Sequence, residues 1–246
     1  MKKSIFLIFI MCIIFSSSSV FAKSGYYKNQ NGVELNQDEY EFFSEFYSEN
    51  YINHLTKETY NEFYDLNLID KNIESETRVD NIVADNIVTP YSSLHETNSK
   101  LIKLSKVCSS ICKVSILVQW KKSPNIRSYD LVGIYLENTS FDNVSYAHLY
   151  NDGNLVESKE TRKESNGIST TFKLPTSGNK IEIVQTINVL KQGKLYASYQ
   201  HAKSNITLAN SRKFEFSKYG YGSVFKFDTA VRSYYDAMQG VNFELN

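Results

Sequence analysis

Beyond about residue 99 the side chains change character at every second position. Val114, Ile116, Val118 and Trp120 alternate with Lys113, Ser115, Leu117 and Gln119. An extended strand sends successive side chains to opposite faces, which a helix cannot do. Ile181, Ile183, Ile187 and Val189 repeat the pattern, as do Phe214 with Phe216, Phe225 with Phe227, and Val241, Phe243 and Leu245. Leu131 to Leu136 is apolar at both parities, as expected of a central strand covered on two sides. Asn151-Asp152-Gly153, Ser177-Gly178-Asn179 and Gln192-Gly193 supply turn residues between these runs. Strands at this spacing, without helical patterns between them, predict an antiparallel β-sandwich over 99–246, with an open barrel as the alternative.

The segment before it obeys a different period. Tyr40, Phe43, Tyr47, Tyr51 and Leu55 recur every three or four residues, and Phe42 and Phe46 widen the stripe. Asn36 followed by Glu39 is a capping-box spacing, so a helix is predicted from Gln37 to Leu55. Thr56 is expected to cap a second, shorter helix carrying Tyr60, Phe63 and Tyr64. Residues 23–66 thus form an acidic, aromatic-rich helical segment, and 67–98 read as a linker with room for one short strand. The fold class expected is mainly β, a sandwich preceded by a short helical segment.

Residues 1–22 have the layout of a secretory signal. Lys2 and Lys3 precede an apolar run from Ile5 to Phe15, and Val20-Phe21-Ala22 places modest side chains where a signal peptidase cuts. The run is shorter than the roughly 20 residues a spanning helix needs. Cleavage after Ala22 and a secreted, extracellular, bacterial location are expected. The full chain has 27 basic and 27 acidic residues, so losing Lys2 and Lys3 leaves a net charge of −2. That balance argues against nucleic acid as a partner.

Cys108 and Cys112 are the two cysteines left after cleavage. In an oxidising compartment a close pair is read as a disulfide, and no second Cys pair or neighbouring His offers a metal its remaining ligands. These cysteines sit in a stretch with seven cations and no acid: Lys100, Lys103, Lys106, Lys113, Lys121, Lys122 and Arg127. Opposite it stands the amino-terminal segment, where 13 carboxylates between Glu34 and Asp80 face three cations. The two segments are expected to pair internally. Otherwise the basic hairpin would face an anionic ligand.

Catalytic motifs are scarce. His54, His95, His148 and His201 do not fall in a zinc-helix spacing, no Gly-x-Ser-x-Gly elbow occurs, and no Gly-rich loop is completed by Lys-Ser or Lys-Thr. His148 and His201 lie on apolar strand faces and are read as satisfied core histidines. No cofactor, metal or catalytic residue is assigned.

Four segments carry a resemblance: Tyr27-Lys28-Asn29-Gln30-Asn31-Gly32-Val33 with Glu39-Tyr40; Trp120 with Arg127-Ser128-Tyr129-Asp130; Tyr196-Ala197-Ser198-Tyr199-Gln200-His201-Ala202; and Tyr219-Gly220-Tyr221-Gly222-Ser223-Val224-Phe225. The chain resembles an uncharacterised family of secreted proteins from low-GC Gram-positive bacteria, in which an aromatic-rich helical segment precedes a β-rich domain. The resemblance implies the compartment and the two-part organisation, and transfers no catalytic residue.

The expectation is a non-enzymatic binding or interaction protein of the cell envelope or extracellular space, with an unknown ligand, an anionic one among the options, and no stable membrane span. Two alternatives stand beside it. Aromatic residues make up 14% of the chain, which motivates a membrane-active, pore-forming-like sandwich, although interfacial helices are usually basic and this one is acidic. A secreted hydrolase built from residues distant in sequence is the other.

Overall fold

A computed structural model describes residues 26–65, 91–141, 145–164, 166–218, 223–236 and 240–245. The expected leader with its cleavage point, and Tyr219-Gly220-Tyr221-Gly222, lie outside the described residues.

The amino-terminal segment opens with a small antiparallel pair, β1 (Tyr26–Lys28) and β2 (Glu34–Asn36), and continues into α1 (Gln37–Phe46), α2 (Glu49–Asn53) and α3 (Lys57–Asp65). The capping box forms as expected: the Asn36 side chain accepts from the Glu39 N–H, and Glu39 Oε2 accepts from the Asn36 N–H, both at 2.9 Å. Thr56 caps α3 by accepting from the Thr59 N–H. The helix expected to run unbroken to Leu55 instead stops after Phe46. Tyr47 turns extended and the Ser48 hydroxyl accepts from the Tyr51 N–H, starting α2. A serine side chain competes for backbone partners and favours caps over helix interiors. The break brings the Tyr47 and Tyr51 rings into a stack at 4.0 Å.

The remaining strands are β3 (Tyr91–Glu96), β4 (Lys100–Cys108), β5 (Ile111–Trp120), β6 (Tyr129–Glu137), β7 (Tyr146–Asn151), β8 (Asn154–Glu160), β9 (Arg162–Glu164), β10 (Gly167–Lys173), β11 (Ile181–Leu190), β12 (Lys194–Gln200), β13 (Phe214–Phe216), β14 (Phe225–Phe227) and β15 (Val241–Glu244). Two short helices, α4 (Leu208–Ser211) and α5 (Thr229–Arg232), flank the β13–β14 hairpin. Among the described residues one sheet runs β3-β4-β5-β11-β7-β8 and a second runs β15-β12-β6-β10-β9, with every pairing antiparallel. Strand β3 is a short strand within the span read as linker. The all-apolar run around Leu131 is β6, the middle strand of its sheet. Asp152 and Gly153 both take positive φ in the β7–β8 turn, the backbone that an Asp-Gly hairpin favours.

The two sheets face each other across a core that includes Ile102, Val114, Ile116, Val118, Val132, Ile134, Leu149, Ile183, Ala197 and Phe243. The outer face of the six-stranded sheet is covered as well. Phe43, Phe46, Ile52, Leu55 and Phe63 pack with Val107, Leu117, Tyr150 and Val184 in a second apolar cluster. Fully burying one such large apolar side chain stabilises by about 1.5–3 kcal/mol. The β13–β14 hairpin covers the outer face of the other sheet, with Phe214, Phe216, Phe225 and Phe227 against Leu131, Tyr135 and Tyr196. Each sheet therefore lies between two apolar contacts, so β5 is buried at nearly every position, including Lys113 and Ser115.

Candidate functional site

The seven cations of the 100–127 segment do not form one face. Lys100 and Lys113 are buried, paired with Asp236 and Glu62 respectively. Lys103 Nζ donates to the backbone carbonyl of Glu45 at 2.7 Å, and Lys106 to that of Glu244. Lys121 pairs with Glu96, and Lys122 is exposed. Arg127 donates to the carbonyls of Pro175, Ser177 and Gly178, clamping the turn that leads into β11. Alternation along β4 and β5 is what separates them, since neighbours in sequence leave the strand on opposite faces. Lys103 and Lys113 do reach the helical layer. Cys108 and Cys112 form a disulfide across the β4–β5 turn, with their Cα atoms 4.0 Å apart.

One buried, multiply hydrogen-bonded carboxylate in the sandwich was not legible as a site. Asp130, at the start of β6, is fully buried. It accepts from the Tyr199 hydroxyl, from His201 Nδ1 at 3.0 Å and from the Ala202 N–H at 3.0 Å. Burial pushes its carboxyl above the usual range, and the three donors pull it back. Trp120 Nε1 donates to the Tyr199 oxygen at 2.9 Å, and Lys100 lies 5.3 Å from the Trp120 ring centre. Asp236 holds Lys100 and accepts from the His201 N–H. His201 is thus the satisfied histidine expected from its strand face. The carboxylate fixes its proton on Nδ1, the geometry an acid–base histidine uses. Among the described residues, however, no hydrogen bond joins His201 to a serine, threonine or cysteine nucleophile. The arrangement ties β6 and β12 to the segment around residue 236. The sequence signal was an acid entering an otherwise apolar run, Asp130 before Leu131.

His148 differs from its expected role. Its ring is T-shaped to Tyr51 at 5.6 Å beneath the helical layer, and Nδ1 has no hydrogen-bond partner. The ring is half-buried, and its buried Nδ1 is unsatisfied because the helical layer covers it without supplying a partner.

Among the described residues, two clefts at the sandwich surface have polar linings. One, of about 420 Å³, separates α2 from the β7–β8 turn and is lined by Glu49, Asn50, Gln119, Asp152, Gly153, Lys180 and Glu182. The other, of about 560 Å³, lies where β6 ends and β12 begins; Tyr135, Glu137, Asn138, Ser140, Asn166 and Gln192 are among its lining residues. Asn138 takes a left-handed backbone, φ 58°, which starts the loop that shapes this second cleft. Glu137 is held by the Tyr196 hydroxyl at 2.9 Å and by Lys218. Asn138, Asn166 and Gln192 are exposed, and their side-chain amides make no hydrogen bond to another described residue. Unengaged amides beside a tyrosine ring offer paired donors and acceptors with an apolar face, suited to a neutral hydroxyl-rich ligand. Among the described residues no group of three His, Cys, Asp or Glu converges on a metal position, and no helix is long and apolar enough to cross a membrane.

No family model matches the chain, and no curated protein matches it. Among solved structures, the enzymatically active domain of tailspike protein 4 from bacteriophage CBA120 is similar to part of it, at 12% identity and a TM-score of 0.25. The match covers 42% of this chain and 17% of that one. A likeness at that score carries no argument about fold or function.

Proposed function

We propose that this chain is a secreted, non-enzymatic binding protein that recognises a neutral, hydroxyl-rich ligand, such as a glycan of the cell envelope or extracellular space. The observation that supports it is the 560 Å³ cleft at the end of β6, where the amides of Asn138, Asn166 and Gln192 stand beside Tyr135 without side-chain partners among the described residues. The signal-like residues 1–22 and the family resemblance support the compartment. The dispersal of the basic segment favours a neutral ligand over an anionic one.

A glycan array probed with the chain expressed from residue 23, followed by titration of the best oligosaccharide, tests this reading. Saturable binding is expected, and Asn166→Leu with Gln192→Leu should weaken it by about tenfold or more. Absence of glycan binding, or binding indifferent to both substitutions, overturns it. Sequencing the amino terminus of the exported product checks the compartment, the expected first residue being Lys23.

A further inference from the structure

Glu182 lies on β11 between Ile181 and Ile183, and the strand's alternation turns its side chain away from the sandwich core toward the helical layer. It is only 4% exposed. Its carboxylate accepts from the Ser48 hydroxyl, from Gln119 Nε2 at 3.0 Å and from Asn50 Nδ2 at 3.4 Å. All three donors are neutral, and no Lys, Arg or His lies within ion-pairing distance among the described residues. Lys113, another buried charge on this face, has Glu62. A buried ion without a counter-ion is costly, and the cost is relieved when an opposite charge arrives.

Such a charge has a route in, because Glu182 lines the 420 Å³ cleft between α2 and the β7–β8 turn. Glu49 and Asp152 line it too, against Lys180 as the single cation of the lining residues. Asp152 Oδ1 is taken by the N–H groups of Asn179 and Lys180, so Asp152 shapes the rim while Glu182 remains the buried charge. The amide nitrogens of Asn50 and Gln119 are committed to Glu182, which leaves their carbonyl oxygens as acceptors. An ammonium carries three donors on one centre and can use a carboxylate and two amide oxygens together. A metal finds no such fit, since three acidic or imidazole side chains do not converge here.

We propose that the Glu182 cleft is a binding site for a primary ammonium group, the end of a lysine side chain or of a polyamine. It is separate from the amide-lined cleft at the end of β6, and it stands or falls independently of the glycan reading.

Calorimetric titration of the chain from residue 23 with cadaverine, at low ionic strength and neutral pH, tests the site. Pentane-1,5-diol serves as the uncharged probe of the same length. Cadaverine should bind saturably and the diol should not. Glu182→Gln should weaken cadaverine about tenfold or more, while Glu215→Gln, an exposed acid on β13, leaves it unchanged. Asn50→Leu supplies a second variant should Glu182→Gln fail to fold, and the same loss is expected. The proposal is overturned if the folded wild-type chain shows no saturable cadaverine binding up to about 10 mM. It is equally overturned if folded Glu182→Gln or Asn50→Leu binds as wild type does, or if Glu215→Gln weakens binding as much.

Discussion

The ring of Phe225 rests directly on the backbone of Gly133. A β-carbon placed on that glycine would stand 2.6 Å from Phe225 Cζ and 2.6 Å from the Ile168 carbonyl oxygen. Ser169 and Ser198 are the cross-strand neighbours of Gly133, so a row of small residues crosses three strands and receives the hairpin. The Val224 N–H donates to Ser198 Oγ at 2.9 Å and holds the hairpin in this register.

Gly133→Ala should therefore lower stability by about 1–3 kcal/mol through overpacking, because one of the crowded atoms is backbone and cannot swing aside. Chemical denaturation measures the loss. Pairing it with Phe225→Leu should recover part of the deficit, and a fully additive double variant would refute the contact as its cause.

His148 gives the chain an acid-sensitive element. Burial, with a smaller contribution from His54, lowers its imidazole from 6.5 to about 4. The unfolded chain then takes up this proton first as pH falls. Stability is intact above pH 6.5 and declines toward pH 4, by about 3 kcal/mol in all. Glu182 and Asp130, both raised by burial, act in the opposite direction. The informative quantity is thus the difference in unfolding free energy between wild type and His148→Gln. That difference should change across pH 4–6.5 and be flat above 7.

Lys113 and Glu62 join the sheet to the helical layer at 2.6 Å, with Lys113 5.1 Å from the Phe63 ring centre and Asn188 donating to the same glutamate at 2.7 Å. Glu62→Ala leaves the lysine buried alone and should cost about 2–3 kcal/mol, less than for a fully buried pair because Glu62 is partly exposed. Lys113→Met keeps the packing stem and should cost under about 1 kcal/mol. Urea melts of both variants decide the order, and equal losses would contradict it.

The Cys108–Cys112 bridge closes a very short loop, so chain entropy assigns it about 2 kcal/mol. Replacing both cysteines with serine should lower the melting temperature by roughly 4–8 °C in a chain of this length. The far-ultraviolet circular dichroism should keep its β signature, since the β4–β5 ladder is paired along its length. Loss of that signature would show the bridge holds more than a turn.

Local information carried far into this fold. The two-residue period of Val114 to Trp120 required a strand, Asn36 with Glu39 required a helix start, and Asp152-Gly153 required a tight turn, because each depends on neighbours within a few residues. The same locality limited the reading of function. The alternation of β5 marked Lys113, Ser115 and Gln119 as an outer face without saying that helices cover it. The cations from Lys100 to Arg127 are contiguous in sequence, yet pleating divides them between two faces and a clamped turn. Asp130 with His201, Glu182 with Ser48, and Phe225 with Gly133 join residues separated by tens of positions or more. Composition and periodicity determined that the chain builds strands behind a helical segment. Which polar groups ended up buried, paired or open to a cleft was decided by tertiary packing, since desolvation and hydrogen bonding act between surfaces that meet only in the folded protein.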